Sequence, residues 1–437
     1  MGKQSEQTAL AKFDDEVERD YRWNFAVNLL DWVFFSMGMS FASLNTVLPA
    51  FARHLTSSNF LIGLIPCLNT LGWLLPQILI ANFVQKLKRK KDLIIFTGLG
   101  ERIPWLFLFL AVIFLSSPSL LLVTFFILYG VFSFSGGIGG PAWQDMLAKI
   151  IPLRKRGRFF GRGNFLAGGG GIFAAFFSIY LLKSFPFPRN FALCFLFAFI
   201  ATSVSYVFSP FLIREPVYPV KNKESGFKEY FLQLPTLLRK DKNFLSFLIS
   251  SIFLSCGGMA TAFFAVHAMN KLTLPDSQIG IFTVLLLTGQ TISSILWGYL
   301  GDKKGYKLIM ELGILLTMLA ILLAVVSSSI YLFYGVFFIF GWAFSASFIS
   351  SLGVVLEFSS PEMRPTYIAL ANTVKAPFVS LSPLLGGILA DRISFPFVFI
   401  LTIFILLGGI LYLAFLVREP RHFLPHLPGR YLAKRRI

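Results

Sequence analysis

Four ionisable side chains lie inside long apolar runs of this sequence: Asp31, the adjacent pair Glu101 and Arg102, and Lys375. A charge at the centre of a bilayer costs about 2.5–3.5 kcal/mol on insertion scales, so such a residue is kept for pairing, for proton or ion transfer, or for holding a solute. At 1.5 Å per helical residue, each lies about 10–14 Å in from the same end of its run, and the four formal charges cancel. Asp31 either exchanges a proton or contacts a solute, or it pairs permanently with a basic residue. Glu101 and Arg102 point about 100° apart on a helix, and the expectation for them is structural pairing. Lys375, near Asn372 and followed by Pro377, either attracts an anion or neutralises Asp31. Asn28, Asn372, Gln290 and His267 are uncharged polar groups able to complete a solute site, although a satisfied or solvated role is expected for His267.

Other chemistries find no support. Cys67, Cys194 and Cys256 are far apart, and with four histidines in the chain no metal-ligand spacing occurs. There is no HExxH, no GxSxG and no Walker motif, so neither an enzyme, nor direct ATP use, nor a cofactor is expected. The Gly168–Gly171 run has no strand before it and no Lys-Ser/Thr after it, so it reads as close helix packing and not as a phosphate loop.

The elements that must position these groups are membrane helices. Of 437 residues, 56% are hydrophobic and 14% charged, against roughly 25% charged in a soluble domain. Runs long enough to cross a bilayer occupy about 24–51, 59–84, 93–116, 119–148, 159–182, 190–213, 244–269, 278–300, 308–328, 330–356, 366–390 and 395–417. These twelve runs are too long and too uniformly apolar for barrel strands. Breakers such as Pro118, Pro152, Pro186, Pro275, Pro361 and Pro396 separate them.

Thirty-two of the 39 lysines and arginines then fall on the side of the N- and C-termini, and only Arg53, Lys183, Arg189, Lys271 and Arg392 on the other. The positive-inside rule makes the first side cytoplasmic. The net charge of +18 is thereby explained by topology and anionic lipid, not by nucleic acid. The expected organisation is a solvated tail at 1–22, six helices over 23–213, a cytoplasmic linker at 214–243, six helices over 244–417 and a basic tail at 418–437. Within the linker, 227–239 reads either as an interfacial amphipathic segment or as a plain connection.

The two halves repeat. Phe211-Leu212-Ile213-Arg214-Glu215-Pro216 returns 204 residues later as Phe415-Leu416-Val417-Arg418-Glu419-Pro420. Asp145, Pro152, Arg156 and Arg158 after the fourth run parallel Glu357, Pro361 and Arg364 after the tenth. Basic clusters at 86–91 and 303–307 match in position. Duplicated six-helix halves are a transporter plan with the solute site at their interface.

Gly298-Tyr299-Leu300-Gly301-Asp302-Lys303-Lys304-Gly305-Tyr306-Lys307 resembles the signature loop of the major facilitator superfamily, and the Pro152…Arg156-Gly157-Arg158 stretch resembles that family's loop after the fourth span. The resemblance covers about residues 20–420. It implies an all-α membrane protein of twelve helices in two pseudo-symmetric halves, with Gly298 allowing close helix approach, Asp302 capping a neighbouring helix and pairing with a basic residue, and Gly305 and Lys307 completing a conformational switch. In the first half Gln85 stands where the aspartate belongs. The string Gly136–Pro141 resembles the family's antiporter signature but falls in the fourth span instead of the fifth, so it does not support antiport.

The resemblance also implies that spans one, four, seven and ten line a central cavity, where a partly desolvated Asp31 would bind and release a proton. The function it implies is secondary active transport of a small solute, driven by an ion gradient, by a monomer in the plasma (inner) membrane. A lipid or amphiphilic drug translocator and a non-transporting sensor are the alternatives.

Overall fold

The computed structural model describes residues 2–87, 89–152, 155–217, 241–358 and 364–420, and among them there is helix and no strand. Among the described residues, eleven helices are long and apolar enough to cross a membrane. The twelfth is the first span, made polar by Asn24, Asn28 and Asp31. It runs over Gly2–Phe41 and resumes at Val47–Leu55. The helix thus continues through the segment expected to be a solvated tail, and Asp20 and Glu18 tie it down by ion pairs to Arg214 and Lys155 at 3.0 and 2.9 Å. Its Asp20 carboxyl is held below the usual carboxylate range, first by the neighbouring Arg19 and further by Arg214.

Spans two to six are Asn59–Lys86, Lys91–Phe114, Pro118–Ile150, Arg156–Ser184 and Arg189–Tyr206, the last prolonged by a π-helical turn, Val207–Leu212. Span seven comes in three pieces, Lys242–Ser255, Gly258–Thr261 and Phe264–Leu272. Spans eight to twelve are Ser277–Lys304, Tyr306–Val326, Ile330–Phe358, Arg364–Arg392 and Phe395–Leu416. The segment 227–239 and the end of the basic tail lie outside the described residues. Prolines such as Pro66, Pro104 and Pro377 sit inside spans, where neighbouring helices and side chains can meet the freed backbone groups.

Spans two and eleven pack together, as do spans five and eight. These are the same contact twice, because two corresponds to eight and five to eleven in the repeat. Glycines let the backbones meet. A Cβ on Gly63 would stand 2.3 Å from Pro383 O, one on Gly387 2.4 Å from Asn59 O, and one on Gly280 2.9 Å from Ile179 N. The Gly168–Gly171 run packs as expected, against Thr291 of span eight and Val33, Ser36 and Ser40 of span one. The Gly136–Gly140 stretch likewise lies on Gly72, Trp73 and Thr97 of spans two and three.

The end of the bundle that carries the termini and the loops after spans two, four, eight and ten is the basic end, and the other the distal end. At the basic end each half is closed by the same device. The Asn24 side-chain amide donates to Arg214 O and accepts from Arg214 N, both at 2.9 Å. Asn243 does so with Arg418, at 3.0 and 2.8 Å. The glutamate that follows each arginine reaches the start of its half's third helix. Glu215 accepts from Lys90 N and Lys91 N at 3.0 Å each, and Glu419 lies against the Gly305 turn, 2.7 Å from where a Cβ would stand. Gly305 has φ +98°, so that turn needs glycine on two counts. Asn24 is 1% exposed. Asn24→Ala is expected to leave two backbone groups unmet and to cost about 1–3 kcal/mol, read as a lowered melting temperature of purified protein.

Candidate functional site

A cavity of about 260 Å³ opens beside Lys375. Its walls come from span seven (Ser251, Ser255), span ten (Ser347, Ser351), span eleven (Asn372, Lys375), spans nine and twelve, and Leu74 of span two in the other half. The break at Cys256–Gly257 places span seven's two serines there. Lys375 Nζ donates to Ser351 Oγ at 3.1 Å, and among the described residues no carboxylate comes within ion-pair distance of it. The alternative in which Lys375 neutralises Asp31 is therefore not realised in this state.

Asp31 faces away from this cavity. It is 7% exposed, on the side of span one that meets span six, and Ser205 Oγ donates to its Oδ1 at 2.6 Å. Nearby, Arg102 is ion-paired with Glu101. It also donates to Gly98 O and Thr202 O at 3.1 and 3.2 Å, with its guanidinium 4.9 Å from the Tyr206 ring centre. The flexible side chains overcome the 100° divergence. Asn28 donates to Asn24 O at 2.7 Å. Gln290 lies where span eight crosses span ten at Gly341. His267 is 5% exposed in a box of Phe333, Phe395 and Phe399, with ring centres 5.1–5.9 Å away. Among the described residues its Nε2 has no hydrogen-bond partner. Of the sequence candidates among the described residues, then, Glu101 and Arg102 pair with each other, and Lys375 and Asn372 are the two that line the cavity.

The signature loop behaves differently from its expected parts. A Cβ on Gly298 would meet nothing within 4 Å, so Gly298 is not the point of close approach. Gly301 is, with the Tyr306 ring 2.5 Å from its would-be Cβ. Asp302 accepts from Tyr306 Oη at 3.1 Å, and the start of span nine is capped by Glu357, which accepts from Tyr306 N at 3.3 Å. Lys307 pairs with Glu311 at 3.4 Å. In the first half Asp145 pairs with Lys90 at 3.3 Å, and that buried lysine also binds Val84 O. Arg158 is exposed; the side chains of Gln85, Arg156 and Arg364 lie outside those described.

A second group of contacts, at the distal end, joins the halves. Asp391, at the end of span eleven, accepts from Asn59 N, Phe60 N and Ser58 Oγ at 2.8, 3.0 and 3.1 Å. One half thus caps the second helix of the other. Asp276 accepts from Asn190 Nδ2 at 2.8 Å and meets His54 Nε2 at 2.9 Å. Arg53 donates to Asn270 Oδ1 at 3.1 Å, and the Thr46 and Thr283 hydroxyls meet at 2.6 Å. All these cross-half contacts lie in the distal half of the bundle. Sequence reasoning missed them. Asp276 and Asp391 stand at helix ends next to short loops, and only the fold shows which loop each faces.

The family model of the Major Facilitator Superfamily matches residues 30–267 and 247–431, two overlapping stretches that together cover both halves. Among solved structures, a mutant of nucleoside transporter NupG superimposes with TM-score 0.70 at 15% identity, covering 90% of this chain and 100% of that one. The D-xylose-proton symporter does so with TM-score 0.71 at 14% identity over 92% and 99%. A bacterial homologue of the iron transporter ferroportin, in an inward-facing state, gives 0.67 at 12% over 89% and 97%. No curated protein matches the sequence.

Proposed function

Because the chain belongs to the Major Facilitator Superfamily, a family of membrane transporters and not of enzymes, we propose that it is a secondary active transporter. It carries a small solute by alternating access, with the proton gradient as driving force, and the state described is open at the basic end. The placing of the cross-half contacts carries this reading. Thr46–Thr283, Arg53–Asn270, His54–Asp276 and the Asp391 cap gather at the distal end, whereas the Asn24–Arg214 and Asn243–Arg418 clasps each stay within one half. With the basic end cytoplasmic by the positive-inside rule, this is an inward-open state of the plasma membrane.

Each distal contact is worth about 1 kcal/mol net, or about 1.5–3 where a charge takes part. A solute that binds the closed or outward state better can therefore shift the balance. Single-cysteine labelling tests this. Asn372→Cys, exposed, is expected to react with a water-soluble maleimide added on the basic side. Thr46→Cys, fully buried, is expected to stay shielded from both sides. Reaction of both from both sides would indicate a continuous pore and end the reading.

The Ser205 contact supports a structural role for Asp31 over a coupling role. An asparagine retains the acceptor oxygen. Asp31→Asn is expected to keep pH-gradient-driven uptake and to lower the melting temperature by about 2 °C. Loss of uptake with an unchanged melting temperature would return coupling to Asp31.

A further inference from the structure

We infer that the cavity beside Lys375 is the binding site of a small solute bearing an oxyanion, a carboxylate or a phosphate, with Lys375 as its counter-ion; the site deepens the transport reading and rests on it only for the steps after binding. Lys375 stands alone in charge among the described groups around the cavity. The two carboxylates at comparable depth are engaged in the other half, Asp31 with Ser205 and Glu101 with Arg102. An ammonium held at this depth is stabilised chiefly by an opposite charge brought to it. Each empty cycle leaves that charge to one hydroxyl, and a bound anion supplies the rest.

The hydrogen-bond directions agree. Lys375 spends one N–H on Ser351 Oγ, which leaves two N–H groups. Because Ser351 accepts there, its own proton is available to a ligand. The Asn372 amide adds donors from one turn away. Ser251 and Ser255 donate to Phe247 O and Ser251 O, so their oxygens face the cavity only as acceptors, suited to a hydroxyl on the solute. The donors therefore sit on spans ten and eleven and the acceptors on span seven. That arrangement suits a molecule with an anionic head and a hydroxylated or apolar remainder. About 260 Å³ holds a small organic acid, against the roughly 30 Å³ share of one water.

The test uses full-length protein in detergent and follows its melting temperature with lactate, succinate and inorganic phosphate, and with lactamide and succinamide as uncharged partners. A ligand of the folded state raises the melting temperature saturably. At least one anion is expected to do so while its amide does not, and the arm that responds tells carboxylate from phosphate. Lys375→Met is expected to weaken that binding at least tenfold, and Lys375→Arg to retain part of it. No shift with any anion, equal shifts with the amides, or unchanged binding in a folded Lys375→Met protein would overturn the site. The wild-type comparison of acid with amide needs no variant. Binding without uptake into vesicles would refute transport and leave the site standing. Uptake of an uncharged solute, indifferent to Lys375→Met, would do the reverse.

Discussion

Gly387→Val is expected to hold the distal end open and to stop solute transport. In the state described, a Cβ on Gly387 would stand 2.4 Å from Asn59 O and 2.8 Å from Phe60 Cα. Both are backbone atoms, which cannot rotate away, so spans two and eleven must separate. One turn further on, Asp391 caps the same helix start, and the separation removes those bonds as well. The two losses act on one equilibrium. A shift of about 5.5 kcal/mol moves a two-state balance from 1:99 to 99:1, and the overlap and the lost cap push it in the same direction. The measurement is maleimide labelling of Thr46→Cys, which should become reactive from the distal side in the Gly387→Val background. Asp391→Ala, which removes a cap worth about 0.5–2 kcal/mol, should produce a partial version of the same change. A shielded Thr46→Cys with normal transport would show that the distal contacts are incidental to the cycle.

Arg102→Met is expected to produce the largest loss of stability of any single change in the first half. The guanidinium holds Glu101, two backbone carbonyls and the Tyr206 ring, and the side chain is 8% exposed. Removing it leaves the Glu101 carboxylate, 16% exposed, among apolar helices. Breaking a buried pair from one side costs about 3–5 kcal/mol. The double change Glu101→Gln with Arg102→Met should recover most of that loss, because no charge is then stranded. Melting followed by tryptophan fluorescence distinguishes the cases. A single variant as stable as wild type would mean that Glu101 is protonated or hydrated and that the pair contributes nothing.

The sequence made the twelve spans and their duplication legible, because lipid imposes long apolar runs and the Arg-Glu-Pro endings are distinctive. Those endings also have a structural use: Asn24 and Asn243 clasp the arginine peptides, and Glu215 caps the third helix of its half. The interruptions at 42–46, 256–257 and 262–263 were hidden, since small residues such as Ala42, Ser43, Gly257 and Ala262 barely change the hydropathy of a window. Asp31 was legible as a buried carboxylate, but it is met by an uncharged serine 174 residues away, which no charge count can suggest. Gly298 fits the signature loop in sequence yet faces open space, whereas Gly301 and Gly305 carry the close contacts. Asp391 illustrates the limit most sharply. It occupies an ordinary helix-end position in the chain and becomes a cap only because another half supplies the helix.

The most direct test of alternating access measures distances between the halves at both ends, in lipid. One spin-label pair would occupy Lys183→Cys and Lys271→Cys at the distal end, and another Arg158→Cys and Lys303→Cys at the basic end, with Cys67, Cys194 and Cys256 replaced by alanine. Each pair should show two populations, the short distal distance accompanying the long basic one, and Asp391→Ala should enrich the reverse combination. A single distance at each end, unmoved by Asp391→Ala, would contradict the account.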